Sequence, residues 1–313
     1  MPGFKTHSIF GSISSEKLKS CSLKRDIEHH SACFQMGNQG PDFLFYYVPA
    51  HLLIKNNPGD ILHTTKVSEM FRTLLNLRDN FKNEDLSIVD SYIAGFFGHY
   101  ILDSKMHPYI YFRTNHLNHL GEATYDFGNH SYLETDIDQA CTRHFFHQTA
   151  LEYKPWEKID LSRKERHVIS NLMYQAISIL FPKFYCTKHS IGRAMYFMRL
   201  EQRLMFDPSG KKKSLMRQID NLTFKHAFIS TLIPFNKGKF FDDPCNLRKK
   251  EWYNPWEIKI KSNESVYEMI EGASNYYISV LTAFNLLKSS SEYSTQELLN
   301  ILGNKSYLTG LEL

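Results

Sequence analysis

The sequence lacks several features that would assign it to a class at once. No uncharged run reaches the 18 or more residues that a membrane-spanning helix needs; residues 272–287, for example, form a run of 16 and residues 43–54 a run of 12. The N-terminal stretch MPGFKTHSIFGSISSEKL has no continuous apolar segment before a small-residue cleavage site, so no secretory signal is predicted. The five cysteines are scattered and never stand in a CxxC pair. We therefore expect reduced thiols and a cytoplasmic protein without a transmembrane segment.

Histidine is abundant by contrast, and it is unevenly distributed. Of the 15 histidines, 12 lie at or before His147. Residues 1–150 carry a net charge of −3, whereas residues 151–313 carry +7. This division predicts metal chemistry in the first part and contact with something anionic in the second.

Apolar residues recur with the spacing of amphipathic helices, and alternating strand patterns are scarce. The sequence therefore predicts an all-α fold. We expect the helix that begins near residue 84 to end at His107-Pro108, because a residue before proline disfavours the α region. The predicted helical segments are 66–79, 84–106, 131–147, 161–181, 190–206 and 264–287.

A change of composition at YKPWEK, residues 153–158, is the candidate domain boundary. It predicts a metal-binding domain over residues 1–155 and a helical C-terminal region of unknown role over residues 156–313. A second core could begin at this point, or the later helices could complete the first one.

Candidate metal ligands are concentrated in two segments, GHYILDSKMHP and HSYLE. In the first, His99, Asp103 and His107 are spaced i, i+4, i+8, which places all three on one row of a helix. In the second, His130 and Glu134 repeat the i, i+4 spacing. Imidazole and carboxylate groups suit zinc, and five such ligands exceed the needs of one tetrahedral ion. Two zinc ions about 3.5–4 Å apart would use them.

At these residues the chain resembles the zinc-dependent phospholipase C family, whose fold is shared with the single-strand-specific zinc nucleases. The resemblance covers roughly residues 1–150 and is most specific in the two segments above. It implies a compact multi-helix bundle with a metal cluster between helices, to which this chain adds a helical C-terminal extension. It also implies three upstream ligands, namely Asp42 after a Gly-Pro turn, His63 in GDILHTT and His7 near the N-terminus. The complete implied ligand set is His7, Asp42, His63, His99, Asp103, His107, His130 and Glu134.

The number of ions depends on the N-terminus. Secreted members of the family use an N-terminal tryptophan whose amine binds a metal, whereas this chain begins Met-Pro-Gly. The expectation is two zinc ions, with three as the alternative. Zinc lowers the pKa of a bound water to about 7, which supplies hydroxide for hydrolysis at neutral pH. Asp42 is the candidate catalytic residue, either as the proton acceptor for that water or as a direct ligand.

The predicted function is that of a metal-dependent phosphodiester hydrolase, phospholipase C-like, with a phosphoester or phospholipid substrate. The alternatives are a nuclease or small-molecule phosphoesterase on the same fold, or a non-catalytic protein that zinc stabilises. Peripheral membrane contact and nucleic acid both stay open as partners. The aromatic run 43–47 beside Asp42 is expected mainly to fill helix interfaces. The basic clusters 211–213 and 248–250 are expected to be solvated loop surface.

Overall fold

The computed structural model of the chain describes residues 3–46, 57–115, 117–118, 122–123, 127–149, 151–223, 229–234, 240–290 and 292–313. Its fold is all-α. The α-helices are α1 (Phe4–Lys17), α2 (Ser22–His29), α3 (Ser31–Gly37), α4 (Pro58–Leu62), α5 (Val67–Arg78), α6 (Asn83–Arg113), α7 (Phe127–Phe146), α8 (Pro155–Lys158), α9 (Arg163–Leu180), α10 (Lys188–Leu204), α11 (Lys211–Thr223), α12 (Val266–Ser289) and α13 (Thr295–Leu302).

Short 3-10 helices and two small antiparallel ribbons complete the described chain. The 3-10 helices are Gly40–Tyr46 and Ile229–Leu232. Strand β1 (Leu117–Asn118) pairs with β2 (Glu122–Ala123), and β3 (Trp252–Asn254) pairs with β4 (Glu257–Ser262). Each ribbon has only two strands, so the architecture is set by helix packing.

All six helices predicted from apolar spacing are present, but one predicted end is wrong. Helix α6 does not stop at His107; it continues through Pro108 to Arg113. Proline removes one helical hydrogen bond, which would use the carbonyl of Ser104. Gly310 of the C-terminal tail packs against that turn, since a Cβ atom on Gly310 would lie 2.4 Å from the Ser104 carbonyl oxygen. The Pro108 ring is itself buried, so tertiary packing overrides the local preference of proline.

Helices α3 and α6 cross with their backbones in contact. A Cβ atom on Gly37 would lie 2.1 Å from the backbone oxygen of Tyr92, and one on Gly95 would lie 2.1 Å from the backbone oxygen of Phe34. Only glycine permits this approach of two backbones. The crossing fixes the segment that follows α3, residues 38–42, beside the middle of α6.

The buried apolar side chains form one core that extends from Ile9 in α1 to Tyr307 near the C-terminus. Helix α6 runs through this core and contacts α9 and α12 as well as the earlier helices. Such packing is expected if the later helices complete the first core. The division into residues 1–155 and 156–313 stays a prediction.

One of the two basic clusters, residues 211–213, differs from the expected solvated loop surface. Residues 211–213 begin α11 rather than forming a loop, and Lys213 is buried, where its Nζ donates to the carbonyl oxygens of Ser230 and Ile233. The expectation of solvated surface is therefore wrong for Lys213, because those carbonyls replace water around its ammonium group.

Within the described ranges, no helix is both long and apolar enough to cross a bilayer.

Candidate metal centre

Helix α6 carries the central row of the site. His99, Asp103 and His107 are each fully buried and lie one helical turn apart. The Nε2 atom of His99 lies 3.1 Å from Oδ2 of Asp103, and Nδ1 of His107 lies 3.9 Å from the same oxygen. The carboxylate therefore stands between two imidazoles, as the i, i+4, i+8 spacing predicts.

The turn after α3 delivers Asp42 to this row. Gly40 has a φ of +52°, and a Cβ atom there would lie 2.1 Å from the ring of His99. Both observations require glycine, because any side chain would clash with the imidazole and would disfavour the left-handed backbone. The 3-10 helix that follows places Oδ1 of Asp42 at 3.7 Å from Nε2 of His99 and 3.3 Å from Nε2 of His63.

His63 follows directly after α4 and joins the centre from another direction. Its Nε2 atom lies 3.6 Å from Oδ2 of Asp103, in addition to its contact with Asp42. His63 is buried, and Phe45 and Tyr307 lie on its ring at centroid distances of 5.7 and 5.2 Å. The two aromatic rings therefore pack around the imidazole.

Three of the imidazoles have their tautomer fixed by a backbone carbonyl. Nδ1 of His63 donates to the carbonyl oxygen of Gly59 at 2.6 Å. Nδ1 of His99 donates to that of Asn38 at 3.2 Å, and Nδ1 of His107 donates to that of Tyr307 at 2.6 Å. A carbonyl accepts only, so the neutral ring carries its proton on Nδ1 and presents a lone pair at Nε2. This is the arrangement by which proteins usually orient metal-binding histidines.

His7 reaches the centre because a distant carboxylate holds the start of α1. Asp138 in α7 accepts from the backbone N–H of Lys5 at 3.1 Å and from that of Thr6 at 2.8 Å. It also accepts from the Thr6 hydroxyl at 2.6 Å. These bonds satisfy N–H groups that have no partner within the helix. In the residue directly after Thr6, Nε2 of His7 lies 3.0 Å from Oδ1 of Asp103.

The second pair predicted from the sequence lies on α7, facing the row. Nε2 of His130 lies 2.8 Å from Oε1 of Glu134, and the ring centroid of His130 is 6.1 Å from that of His107. Both side chains are largely shielded from solvent. The structure thus brings together all eight residues that the sequence and its resemblance singled out.

These residues form three groups, and within each group one ligating atom per residue lies within 4.8 Å of the others. The first two groups share His99. The groups are His7–His99–Asp103, Asp42–His63–His99 and His107–His130–Glu134. Among the described residues, the Nε2 atoms of His63, His99 and His107 and both carboxylate oxygens of Asp103 have no hydrogen-bond partner. Buried polar atoms without partners are costly, and divalent cations between them would satisfy these atoms. The donor set therefore fits zinc.

The protonation of the centre favours a cation as well. Burial opposes ionisation of Asp103, but His99, His107 and His7 around it lower the pKa of its carboxyl well below the usual range. Burial lowers the pKa of His107 well below its usual value, and it also lowers that of His7. An ionised carboxylate and the neutral rings of His7 and His107 are in the state that binds a metal. Burial opposes a charge on His99, but the carboxylates of Asp103 and Asp42 raise its pKa, so this ring would release its proton on binding a cation.

A cavity of about 140 Å³ opens beside the centre, with Asp42 and Glu134 in its wall. Tyr46, Trp156 and Phe206 also line the cavity and give it aromatic surface. Glu201 also lines the cavity, and burial raises the pKa of its carboxyl to about 7. The aromatic run 43–47 is divided: Phe43 is fully buried, Tyr46 faces the cavity, and Tyr47 lies outside the described residues.

Sequence reasoning missed the residues that orient the ligands. The C-terminal tail supplies the carbonyl of Tyr307 to His107, and the backbone N–H of Tyr307 donates to the carbonyl of His63 at 3.0 Å. Tyr307 is separated from His107 by 200 residues in the sequence, so no local spacing could indicate this contact. Gly40 could have been noticed as part of the Gly-Pro-Asp turn, but not its contact with His99.

Comparison with known protein families indicates zinc binding, as the geometry of the donor set does. The family model described as zinc dependent phospholipase C matches residues 6–182, which is more than half of the chain and includes all eight residues. Comparisons with the curated proteins and with the solved structures gave no match. The chain belongs to the zinc-dependent phospholipase C family.

Proposed function

We propose that this protein is a zinc-dependent phosphodiester hydrolase of the phospholipase C type. The single observation that carries the proposal is the buried convergence of imidazole and carboxylate ligands from separate helices and turns, two of which, Asp42 and Glu134, line a cavity. Zinc bound there would supply a water that is activated at neutral pH. Because two of the three ligand groups share His99, the groups support two ions, with three as the alternative.

Each proposed ligand has a defined part. Asp103 contacts members of all three groups, so its carboxylate is the group that would hold neighbouring ions together, whereas His99 offers only Nε2 and would bind one of them. The remaining ligands, each held by its own helix or turn, are His7, His63, His107, His130 and Glu134. The carbonyls that accept from Nδ1 keep three of the rings in place while substrate enters and leaves.

Asp42 is the proposed catalytic residue because it belongs both to a ligand group and to the cavity wall. In that position its carboxylate is able to accept the proton of an attacking water at its free oxygen, or to bind a metal directly. The Asp42→Asn variant separates the two roles. Lost turnover with unchanged metal content indicates a proton acceptor, whereas lost metal indicates a ligand.

The cavity wall supports a small phosphodiester with a cationic head group. Tyr46, Trp156 and Phe206 offer ring faces that attract a quaternary ammonium. The same rings are able to stack on a nucleic acid base, which keeps a nuclease as the alternative. A purely structural zinc site would be closed by four protein ligands, and ligands that line a cavity do not favour that reading.

Metal analysis is the direct test of this proposal. Purified full-length protein should contain at least two zinc ions per chain after chelator treatment and reconstitution. The reconstituted protein is then assayed on phosphatidylcholine vesicles, single-stranded DNA and a nitrophenyl phosphodiester. We expect cleavage of the lipid and of the nitrophenyl ester. Activity on DNA alone would replace the phospholipase reading by the nuclease one, and less than one bound ion per chain would refute both.

A further inference from the structure

A fourth group of metal-type ligands lies outside the candidate metal centre. His30 stands at the junction of α2 and α3, Cys33 lies in α3, and Glu165 lies in the first turn of α9. One ligating atom from each lies within 4.8 Å of the others. Cys33 is fully buried, and the side chains of His30 and Glu165 are 5% and 16% exposed. We call this group the thiol cluster.

The geometry of the thiol cluster is fixed by a helix cap. Glu165 and Ser162 form a capping box, in which Oε2 of Glu165 accepts from the backbone N–H of Ser162 at 2.9 Å. The other oxygen, Oε1, lies 3.1 Å from Nδ1 of His30. The cap therefore holds the carboxylate with one oxygen turned toward His30 and Cys33.

We propose that His30, Cys33 and Glu165 bind one zinc-type divalent cation through an imidazole nitrogen, a thiolate and a carboxylate. These are the ligand types that zinc takes, and thiolate selects it over magnesium or calcium. A thiolate, a carboxylate, a neutral imidazole and a divalent cation sum to zero charge, which suits a site that is largely buried. Three protein ligands leave the fourth tetrahedral position to water, and the partial exposure of Glu165 gives that water access.

The surroundings of Cys33 differ from those of an inert core thiol. Burial and then the neighbouring carboxylate of Glu165 raise the pKa of this thiol, so it keeps its proton without a cation. On binding, the S–H bond breaks, a metal–sulfur bond forms and the proton passes to solvent. A bound ion would join the α2–α3 junction to α9, two parts of the chain that are far apart in sequence.

Cobalt(II) provides a test that reports on sulfur alone. The full-length protein is stripped of metal with a chelator and titrated with Co²⁺ only. We expect a thiolate-to-cobalt charge-transfer absorption in the near ultraviolet, which nitrogen and oxygen ligands do not produce. Cys33→Ser should abolish this absorption and lower the bound metal by one ion per chain. Cys186→Ser, which removes another buried thiol, should change neither.

A second variant keeps the fold and removes only the charge. Glu165→Gln retains a residue that forms capping boxes, so α9 should still begin at the same place. Its affinity for Co²⁺ at the thiol cluster should fall on the order of tenfold or more. Glu297→Gln is the matched control, because Glu297 has the same capping role in α13 and belongs to no group of metal-type ligands among the described residues.

The outcomes separate this site from the proposed hydrolase. Absence of the charge-transfer band in cobalt-loaded wild-type protein, or its persistence in Cys33→Ser, would overturn the proposal. The visible bands of cobalt bound by nitrogen and oxygen ligands, if unchanged in Cys33→Ser, show that the variant is folded. The band does not depend on turnover, so an inactive protein that shows it would refute the proposed function and leave the thiol cluster standing.

Discussion

The part of the chain that the family model matches and the part that follows it contribute differently to the same site. Residues 6–182 contain all eight candidate ligands of the metal centre. Among the described residues after 182, none belongs to a group of metal-type ligands. That later part provides the carbonyl that orients His107 and one wall of the cavity. The candidate ligands thus lie in the family region, while the orientation of the His107 ring and part of the cavity wall depend on residues beyond it.

The comparison predicts that changes in the family region are the most damaging. Asp103→Asn should lower the hydrolysis rate by more than about 100-fold and reduce the bound zinc, because loss of a ligand should exceed the 10–100-fold cost of losing a group that only orients one. The carboxamide loses the charge that three histidines surround. Zinc content and initial rates on a nitrophenyl phosphodiester measure the effect.

Asp90→Asn is the matched control for that variant. Asp90 lies on the same helix and is equally buried, but its carboxylate accepts from Nε of Arg78 at 2.5 Å and from Nζ of Lys288 at 2.5 Å. Its loss should destabilise the fold while leaving the zinc content of the folded protein unchanged. If Asp103→Asn retains full zinc and activity, the family region does not hold the metal as proposed.

The sequence predicts the local features of the fold and of the site, but not those that depend on contacts between separate segments. The helix periods were sufficient for the all-α class, and the i, i+4, i+8 row was sufficient to place His99, Asp103 and His107 on one face. Both are local properties of one helix. The convergence of Asp42, His63 and His7 on that row was expected only from the family resemblance, because it depends on how separate helices pack.

The remaining features of the site could not be predicted, since they arise from contacts between distant segments. Pro108 predicted a helix end, yet the tail that packs on Ser104 lies about 200 residues later. The close crossing of α3 and α6 at Gly37 and Gly95 positions Asp42. This crossing depends on how the two helices pack, so it is visible only in the three-dimensional structure. The metal-binding roles of the eight residues stay predictions until metal is measured.

The tail gives the next prediction, of intermediate size. Tyr307→Ala removes a buried ring whose centroid lies 5.2 Å from that of His63 and 5.7 Å from that of His99. We expect a loss of about 3–5 kcal/mol in the free energy of unfolding. Because the backbone that accepts from His107 then loses its anchor, zinc affinity should fall by about 10–100-fold. Thermal unfolding and competition with a chromophoric chelator measure the two effects.

Tyr307→Phe sharpens that result. It keeps the ring and the backbone contacts, so zinc affinity should be close to that of the wild-type protein. A Tyr307→Ala variant that is destabilised but binds zinc with unchanged affinity would mean that the tail only packs against the centre. In that case the family region would be sufficient for metal binding by itself.

The smallest expected effect concerns the cavity wall beyond the family region. Burial raises the pKa of Glu201 from 4.5 to about 7, so the folded state binds its proton more tightly than the unfolded state. Stability contributed by the protonated form is therefore complete below pH 4.5 and is lost as the pH rises toward 7. Glu201→Gln removes this dependence and should raise the stability of metal-free protein above pH 7 by on the order of 1–3 kcal/mol.

Unfolding of metal-free wild-type and Glu201→Gln proteins at pH 5 and pH 8 tests the sign. The difference between the two proteins should be larger at pH 8, because only there is the wild-type carboxylate ionised within the cavity wall. Glu157→Gln, at an exposed position of α8, is the control and should show no such difference. If Glu201→Gln gives an equal change at both pH values, its carboxyl is not held neutral by burial, and the cavity wall beyond residue 182 is more open to water than the structure indicates.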